Sequence, residues 1–426
     1  MGSFGGPLAT PARLDLGRFS ADAALRTALI AAAGCLLIVL ASGAAAYAIW
    51  GASGSLQGVL DPPGLVEHLG SSLQDTLAAP FARWDAAWYL LVAQHGYGGN
   101  GGGAATFFPV YPLLVATVGS LGMGDLVAGV LISFVCFVIG LRMIYRLTEL
   151  EFGDRYPAAP TLAVAFTALF PTAFFLTAVF PEAFLLATST SAIWYARKGK
   201  WWAAGLLGGF AAAAHSLGLL LALPLGLLYL REHHWRVRWD VLWLALVPAG
   251  YGAFMLYLGI EGFDPFWPLY AHETWLRFFV NPVSGAWEAT RAAWAGVLQI
   301  ASGSSTHVYW KPAIAYGYSP MTAASDNLEL YGFLLFALAA MVAAFRRLPA
   351  AYGAYIAIVL VVVVSYPIEA QPLAGLSRYV AVLFPVGMIM GRWLSVHRGW
   401  TVPVLALSAA GLIFYTGYFA TWHFVA

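Results

Sequence analysis

Runs of apolar residues close to twenty positions long recur from one end of this chain to the other. They fall at about 27–50, 125–145, 159–179, 182–196, 202–230, 241–259, 328–345, 350–367, 379–391 and 402–422. A helix needs roughly 20 apolar residues to cross about 30 Å of hydrocarbon. Among spanning structures, helices alone satisfy their backbone polar groups within one segment. These runs therefore predict an all-α polytopic integral membrane protein. The run at 27–50 is too long and too uniformly apolar for a cleaved signal peptide, and is read as a permanent first span. Charged residues make up 10% of the chain, against roughly 25% in soluble domains. A formal net charge of +1 supplies no basic surface to track phosphates, which excludes nucleic-acid binding. Cys35 and Cys136 both lie in apolar runs, so neither a disulfide framework nor a Cys-based metal site is expected.

Lys and Arg between spans set the orientation, because cytoplasmic loops are enriched in them. The clusters are Arg13/Arg18/Arg26, Arg142/Arg146/Arg155, Arg197/Lys198/Lys200, Arg231/Arg236/Arg238, Arg346/Arg347 and Arg392/Arg398. Placing all six in the cytoplasm leaves only Arg83, Arg277, Arg291, Lys311 and Arg378 on the other side, where most of the acids then lie. Residues 51–124 and 260–327 become the two large extracytoplasmic segments of a single membrane domain, 1–426. Both flanks of 202–230 become cytoplasmic, so that run is read as two half-spans meeting near Ala214-His215-Ser216-Leu217-Gly218, against the alternative of one tilted helix. The total is about eleven crossings with the N terminus inside.

Charges are rare in this chain, so the cluster in the first outer segment is conspicuous: R-W-D-A-A-W-Y (83–89), followed by Q-H-G-Y (94–97) and F-F-P-V-Y-P (107–112). Asp85 stands between Trp84 and Trp88, where partial desolvation lets a carboxylate serve as a base. Trp84/Trp88 and Asp85/Tyr89 are each spaced i, i+4, which on one helix presents an aromatic stripe beside an acidic one. An interfacial amphipathic helix with Arg83 and Asp85 merely solvated is the structural alternative. The glycine-rich stretch 98–103 lacks the Lys-Ser/Thr and the strand of a phosphate loop. Glu232-His233-His234 reads as a cytoplasmic linker rather than a metal site.

The order R-W-D-x-x-W-Y, G-Y, F-F-P-x-Y-P-L resembles the opening signature of the PIG-V-like mannosyltransferases, integral-membrane glycosyltransferases of the GT-C class. Further matches follow in A-L-F-P-T-A-F-F-L (168–176), F-P-E-A-F-L-L (180–186), A-R-K-G-K-W-W-A-A-G-L-L-G (196–208) and S-R-Y-V-A-V-L-F-P (377–385). The resemblance runs through about 80–230 and returns near 377, while 260–327 shows none. It implies a GT-C fold whose first outer loop carries a catalytic Asp on membrane-surface helices. It also implies a polyprenyl-phosphate sugar donor of the dolichol-phosphate mannose type.

On that resemblance Asp85 is the expected general base, and Glu182 the second catalytic carboxylate, orienting acceptor or donor. Arg378 is expected to hold the donor phosphate through its planar fork, with a snorkelling interfacial arginine as the alternative. Arg83, His95, Tyr97, His215 and Tyr379 complete the expected donor-binding set; Trp84, Trp88, Lys311 and Tyr316 the acceptor-binding set. His215 and Ser216 depart from the family, which shows Arg-Pro there, and a structural histidine is the alternative. No metal or other cofactor is expected. The anticipated partners are the lipid-phosphate sugar, a lipid or protein acceptor and membrane lipids, around a monomer in a bacterial plasma membrane with its site facing outward. The rival readings are transfer of another lipid-linked sugar such as arabinose or glucose, a lipid transporter or flippase, and a non-catalytic scaffold.

Overall fold

The computed structural model describes residues 19–51, 72–98, 103–311 and 319–425. Tyr316, Arg13, Arg18 and residues 99–102 of the glycine-rich stretch lie outside the described residues. The chain opens with α1 (Phe19–Trp50), and the first outer segment carries α2 (Ser72–Ala78), α3 (Asp85–His95) and α4 (Val110–Val118). Then come α5 (Asp125–Phe152), α6 (Ala159–Ala168), α7 (Glu182–Arg197), α8 (Trp201–Ala214), α9 (Ala222–Glu232) and α10 (Leu246–Ile260). The rest is α11 (Trp267–Tyr270), α12 (Pro282–Ser302), α13 (Pro320–Arg347), α14 (Ala350–Ser365), α15 (Leu376–Val382), α16 (Phe384–Val396) and α17 (Thr401–Ala420). Among the described residues the one β-pairing is an isolated bridge between Arg277 and Ile368.

Five segments are long and apolar enough to cross a bilayer: Ala23–Trp50, Asp125–Phe152, Trp239–Ile260, Pro320–Arg347 and Arg398–Ala420. A sixth is the pair α15 and α16, bent by 69°. The remaining apolar runs form shorter helices, so about eleven crossings are not carried by eleven full-length spans. The run 159–179 shows why. It is helical only to Ala168, Pro171 cannot continue a helix, and the chain proceeds through the tight turn Ala173–Leu176 before Pro181 opens α7. Caps fix two of the later starts. Asn281 Oδ1 accepts from Ser284 N at 2.9 Å with Pro282 at the first helical position, and Ser319 Oγ accepts from Thr322 N at 3.1 Å ahead of Pro320.

The helix ends sort the molecule into two poles. Arg197 Nε lies 2.9 Å from Glu151 Oε1, to which Tyr352 also donates at 3.1 Å; Arg392 donates to Tyr156 at 3.2 Å. Arg346 and Arg347 close α13 immediately before α14. α1 runs alongside α17 in the same direction, with Gly43 against Thr416 and Ala46 against Gly417, so Arg26 and Arg398 share that pole too. Arg83 and Arg378, by contrast, belong to the other.

Segment 202–230 is a hairpin. Its ends meet at the basic pole, where the Trp201 and Tyr229 rings are 4.9 Å apart. Its middle reaches the other pole, where His215 Nε2 lies 4.0 Å from Glu182 Oε1. The limbs run deeper than half-spans: α8, at about 21 Å, is nearly as long as α7 at about 24 Å. The reversal depends on Gly218, because a Cβ there would sit 2.1 Å from the Ala211 carbonyl. A stripe of small residues binds α8 to the Trp239–Ile260 helix. Added Cβ atoms would lie 2.0 Å from Trp243 O at Gly205 and 2.7 Å from Leu246 O at Gly209. Gly209→Leu is expected to cost about 1–3 kcal/mol through overpacking. It should lower the melting temperature of the detergent-purified protein by several degrees, whereas Gly226→Leu, which opens into free space, should leave it unchanged.

Candidate active site

The turn before α3 is built by two side chains that point away from Asp85. Arg83 is fully buried, donates from Nε to Ala420 O at 3.2 Å, and lies over the Tyr47 and Trp422 rings at 5.0 and 4.9 Å. Trp84 holds a left-handed backbone, φ 56° and ψ −123°, which costs a non-glycine residue about 1–3 kcal/mol. Its indole donates to His423 O at 3.0 Å and meets Phe424 edge-on at 5.2 Å. These contacts to residues 420–424 hold the strained conformation. That turn releases Asp85 as the first residue of α3, where the helix dipole favours a carboxylate.

Arg378 reaches Asp85 from almost three hundred residues away. Arg277 clasps the preceding loop by donating to Tyr366 O at 3.1 Å and Ala374 O at 2.7 Å. Gly375 then turns the chain at φ +89° into α15, and Thr172 donates to Ser377 O at 2.9 Å. Arg378 donates from one terminal nitrogen to Asp85 Oδ2 at 2.8 Å, and its Nε lies 3.1 Å from Glu182 Oε1. The rings of Phe175, Phe180 and Tyr379 pack around the guanidinium at 5.5, 5.7 and 5.3 Å.

The two carboxylates differ. Asp85 is 36% exposed at its side chain, whereas Glu182, the first residue of α7, is 1% exposed. Glu182 Oε2 has no hydrogen-bond partner in the protein, a costly state for a buried carboxylate oxygen. His215 accepts the Leu217 N–H on Nδ1 at 3.1 Å, so the neutral ring carries its proton on Nε2, the nitrogen facing Glu182. Its ring meets Tyr379 edge-on at 6.0 Å. The chemistry on offer is an accessible carboxylate, a cation with a planar fork and a buried acceptor oxygen. Among the described residues no three His, Cys, Asp or Glu side chains gather as a metal ligand set.

Residues 52–232, which hold Asp85, Glu182 and His215, match the family described as Mannosyltransferase (PIG-V). Over that stretch the chain is PIG-V-like, and it is a glycosyltransferase. No curated protein and no solved structure matches it. The family's reaction is mannosyl transfer, and it implies a lipid-linked sugar donor and an acceptor in the membrane.

This PIG-V-like site draws together five of the residues expected from sequence: Asp85, Glu182, Arg378, His215 and Tyr379. Arg83 and Trp84 instead anchor the turn behind it. The Trp84/Trp88 stripe is split, because Trp84 precedes the helix; Trp88 stacks on Phe107 at 5.5 Å and meets Trp275 at 5.5 Å. Tyr97 donates to Phe107 O at 2.6 Å and packs on Phe254. His95 is exposed at the far end of α3, about 15 Å along its axis from Asp85. Lys311 pairs with Glu369 at 3.1 Å, both exposed. Tyr89 received no role from sequence, yet one turn after Asp85 it is buried against Phe180 at 6.1 Å; the i, i+4 spacing was the available signal.

A chain ending at Ala420 loses the His423 carbonyl and the Phe424 ring that hold Trp84. It is expected to insert normally but to transfer sugar at least tenfold more slowly. Trp84→Gly in the full chain relieves the backbone strain, so it should retain more activity than Trp84→Ala; radiolabelled product formation checks both.

Proposed function

We propose that the protein transfers mannose from a polyprenyl-phosphate carrier to an acceptor hydroxyl, with inversion, at the extracytoplasmic side of the membrane. The observation that carries this reading is the ion-paired set Asp85–Arg378–Glu182 at the pole opposite the basic helix ends. Basic ends favour the cytoplasm, so the set faces outward. Nucleotide sugars stay in the cytoplasm, and an outward site needs a donor already carried across the bilayer on a lipid.

Arg378 is the natural seat for the donor phosphate, since an arginine fork matches phosphate as well as carboxylate. A phosphate that takes this fork displaces Asp85, freeing the carboxylate beside the acceptor. Asp85 then takes the acceptor's hydroxyl proton while that oxygen bonds to the anomeric carbon. The bond from that carbon to the phosphate oxygen breaks on the opposite face, and the leaving phosphate keeps the electron pair against Arg378. Glu182 Oε2 accepts from a sugar hydroxyl, and the His215 Nε2 proton faces the same place. No step calls for a metal. Proton abstraction by a positioned group contributes about 10²–10⁴-fold.

The test is to incubate the purified protein with polyprenyl-phosphate mannose and candidate acceptors and to weigh the products. Mannosyl transfer is expected, falling at least a hundredfold in Asp85→Asn with folding intact. Arg378→Lys, which keeps charge but loses the fork, should weaken donor use about tenfold or more. Transfer from GDP-mannose with no lipid intermediate, or undiminished transfer in Asp85→Asn, would overturn the reading.

A further inference from the structure

Tyr89 has no task in the transfer steps above, although it lies one helical turn after Asp85 on α3 and is 7% exposed. Three rings set the direction of its phenol. Phe107 and Tyr111 meet it edge-on at 5.0 and 5.6 Å, and Phe180 lies at 6.1 Å. Tyr111 is fixed in turn, bonding Ser133 Oγ at 2.8 Å and Gly129 O at 3.2 Å. Among the described residues, however, nothing bonds the Tyr89 hydroxyl. A phenylalanine would fill the same aromatic slot without the cost of a buried hydroxyl that lacks a partner.

The neighbours of this hydroxyl belong to the site. The Phe180 ring that contacts Tyr89 also contacts the Arg378 guanidinium, at 5.7 Å, and Glu182 follows it by two residues. Burial, and after it the negative charges of Glu182 and Asp85, push the phenol well above the usual tyrosine range, so it keeps its proton and acts as an O–H donor. Of the two carboxylates Glu182 acts on it the more strongly, and Glu182 also carries the unpartnered oxygen, Oε2. A donor and an acceptor thus stand in one part of the site, each without a partner.

A group that satisfies both must accept from one and donate to the other. Phosphate oxygens only accept, and would meet Glu182 Oε2 with like charge. An ammonium only donates, and would leave the phenol's proton without an acceptor. A neutral hydroxyl does both. In the transferase reading, on which this inference rests, the donor phosphate takes the Arg378 fork, so the nearest hydroxyls are those of the sugar it carries. We infer that Tyr89 donates to, and Glu182 Oε2 accepts from, a single hydroxyl of the mannosyl group, and that this pair sets which lipid-linked sugar the protein accepts. Sites built to hydrogen-bond a substrate hydroxyl reject analogues that lack it, because their own polar groups are then left unpaired.

The test reads donor binding apart from transfer, by calorimetry on the full-length protein in nanodiscs, with farnesyl-phosphate mannose and its 2-, 3-, 4- and 6-deoxy analogues as probes. One analogue is expected to bind about tenfold or more weakly than the parent. Tyr89→Phe should weaken the parent toward that level while leaving the same analogue's affinity and the melting temperature unchanged, and Glu182→Gln should single out the same position. A merely structural tyrosine would instead weaken all five donors alike. That result, an effect on none of them, a wild type that treats all four analogues as the parent, or two variants that point to different hydroxyls would overturn the inference and leave the transferase reading standing. A wild type that binds none of the five donors would overturn both.

Discussion

One guanidinium holds this site together. Arg378 joins carboxylates from α3 and α7 in a region walled by Phe175, Phe180 and Tyr379. Charges removed from water are strongly destabilising unless paired, and removing one partner of a buried pair costs about 3–5 kcal/mol. The fold must therefore deliver three distant segments to one point. It does so with local devices: a strained turn before α3, Pro181 before α7, and a loop clasped by Arg277 before α15. The pairing is weak evidence for stability and stronger evidence for use, because an aliphatic cluster would fill the same space without the desolvation cost.

The rest of the architecture serves the separation of two poles. Basic helix ends gather at one, joined through Glu151 to Arg197 and Tyr352. Asp85, Arg378 and Glu182 gather at the other. The α8–α9 hairpin connects them, starting and finishing among the basic ends while carrying His215 to Glu182. The last residues of the chain act at the far pole, where they hold Arg83 and Trp84.

Much of this was legible from residues alone. The scarcity of charge made Asp85, Glu182 and Arg378 conspicuous, and Lys/Arg placement implied the hairpin before any coordinates. What could not be read was direction. Arg83 and Asp85 are two positions apart, yet the positive φ of Trp84 sends one toward Tyr47 and Trp422 and the other toward Arg378. Tyr97, beside the motif in sequence, is turned inward by the Phe107 carbonyl. Helix starts were the other blind spot. The apolar run begins near 328, but the Ser319 cap starts α13 at Pro320, which brings Asp326 into the helix one turn before Glu329. Ser-Pro-Met-Thr (319–322) encodes that cap, a polar signal to which hydropathy is blind.

The central claim is that Arg378 exchanges its carboxylate partner for the phosphate of a lipid carrier. An experimental structure of the protein in nanodiscs with bound polyprenyl phosphate tests this most directly. The account predicts phosphate density within hydrogen-bonding distance of the Arg378 fork, with the Asp85 carboxylate moved off it and facing open space. Phosphate seated among the basic helix ends near Arg142 and Arg197, with the Asp85–Arg378 pair unbroken, would contradict it.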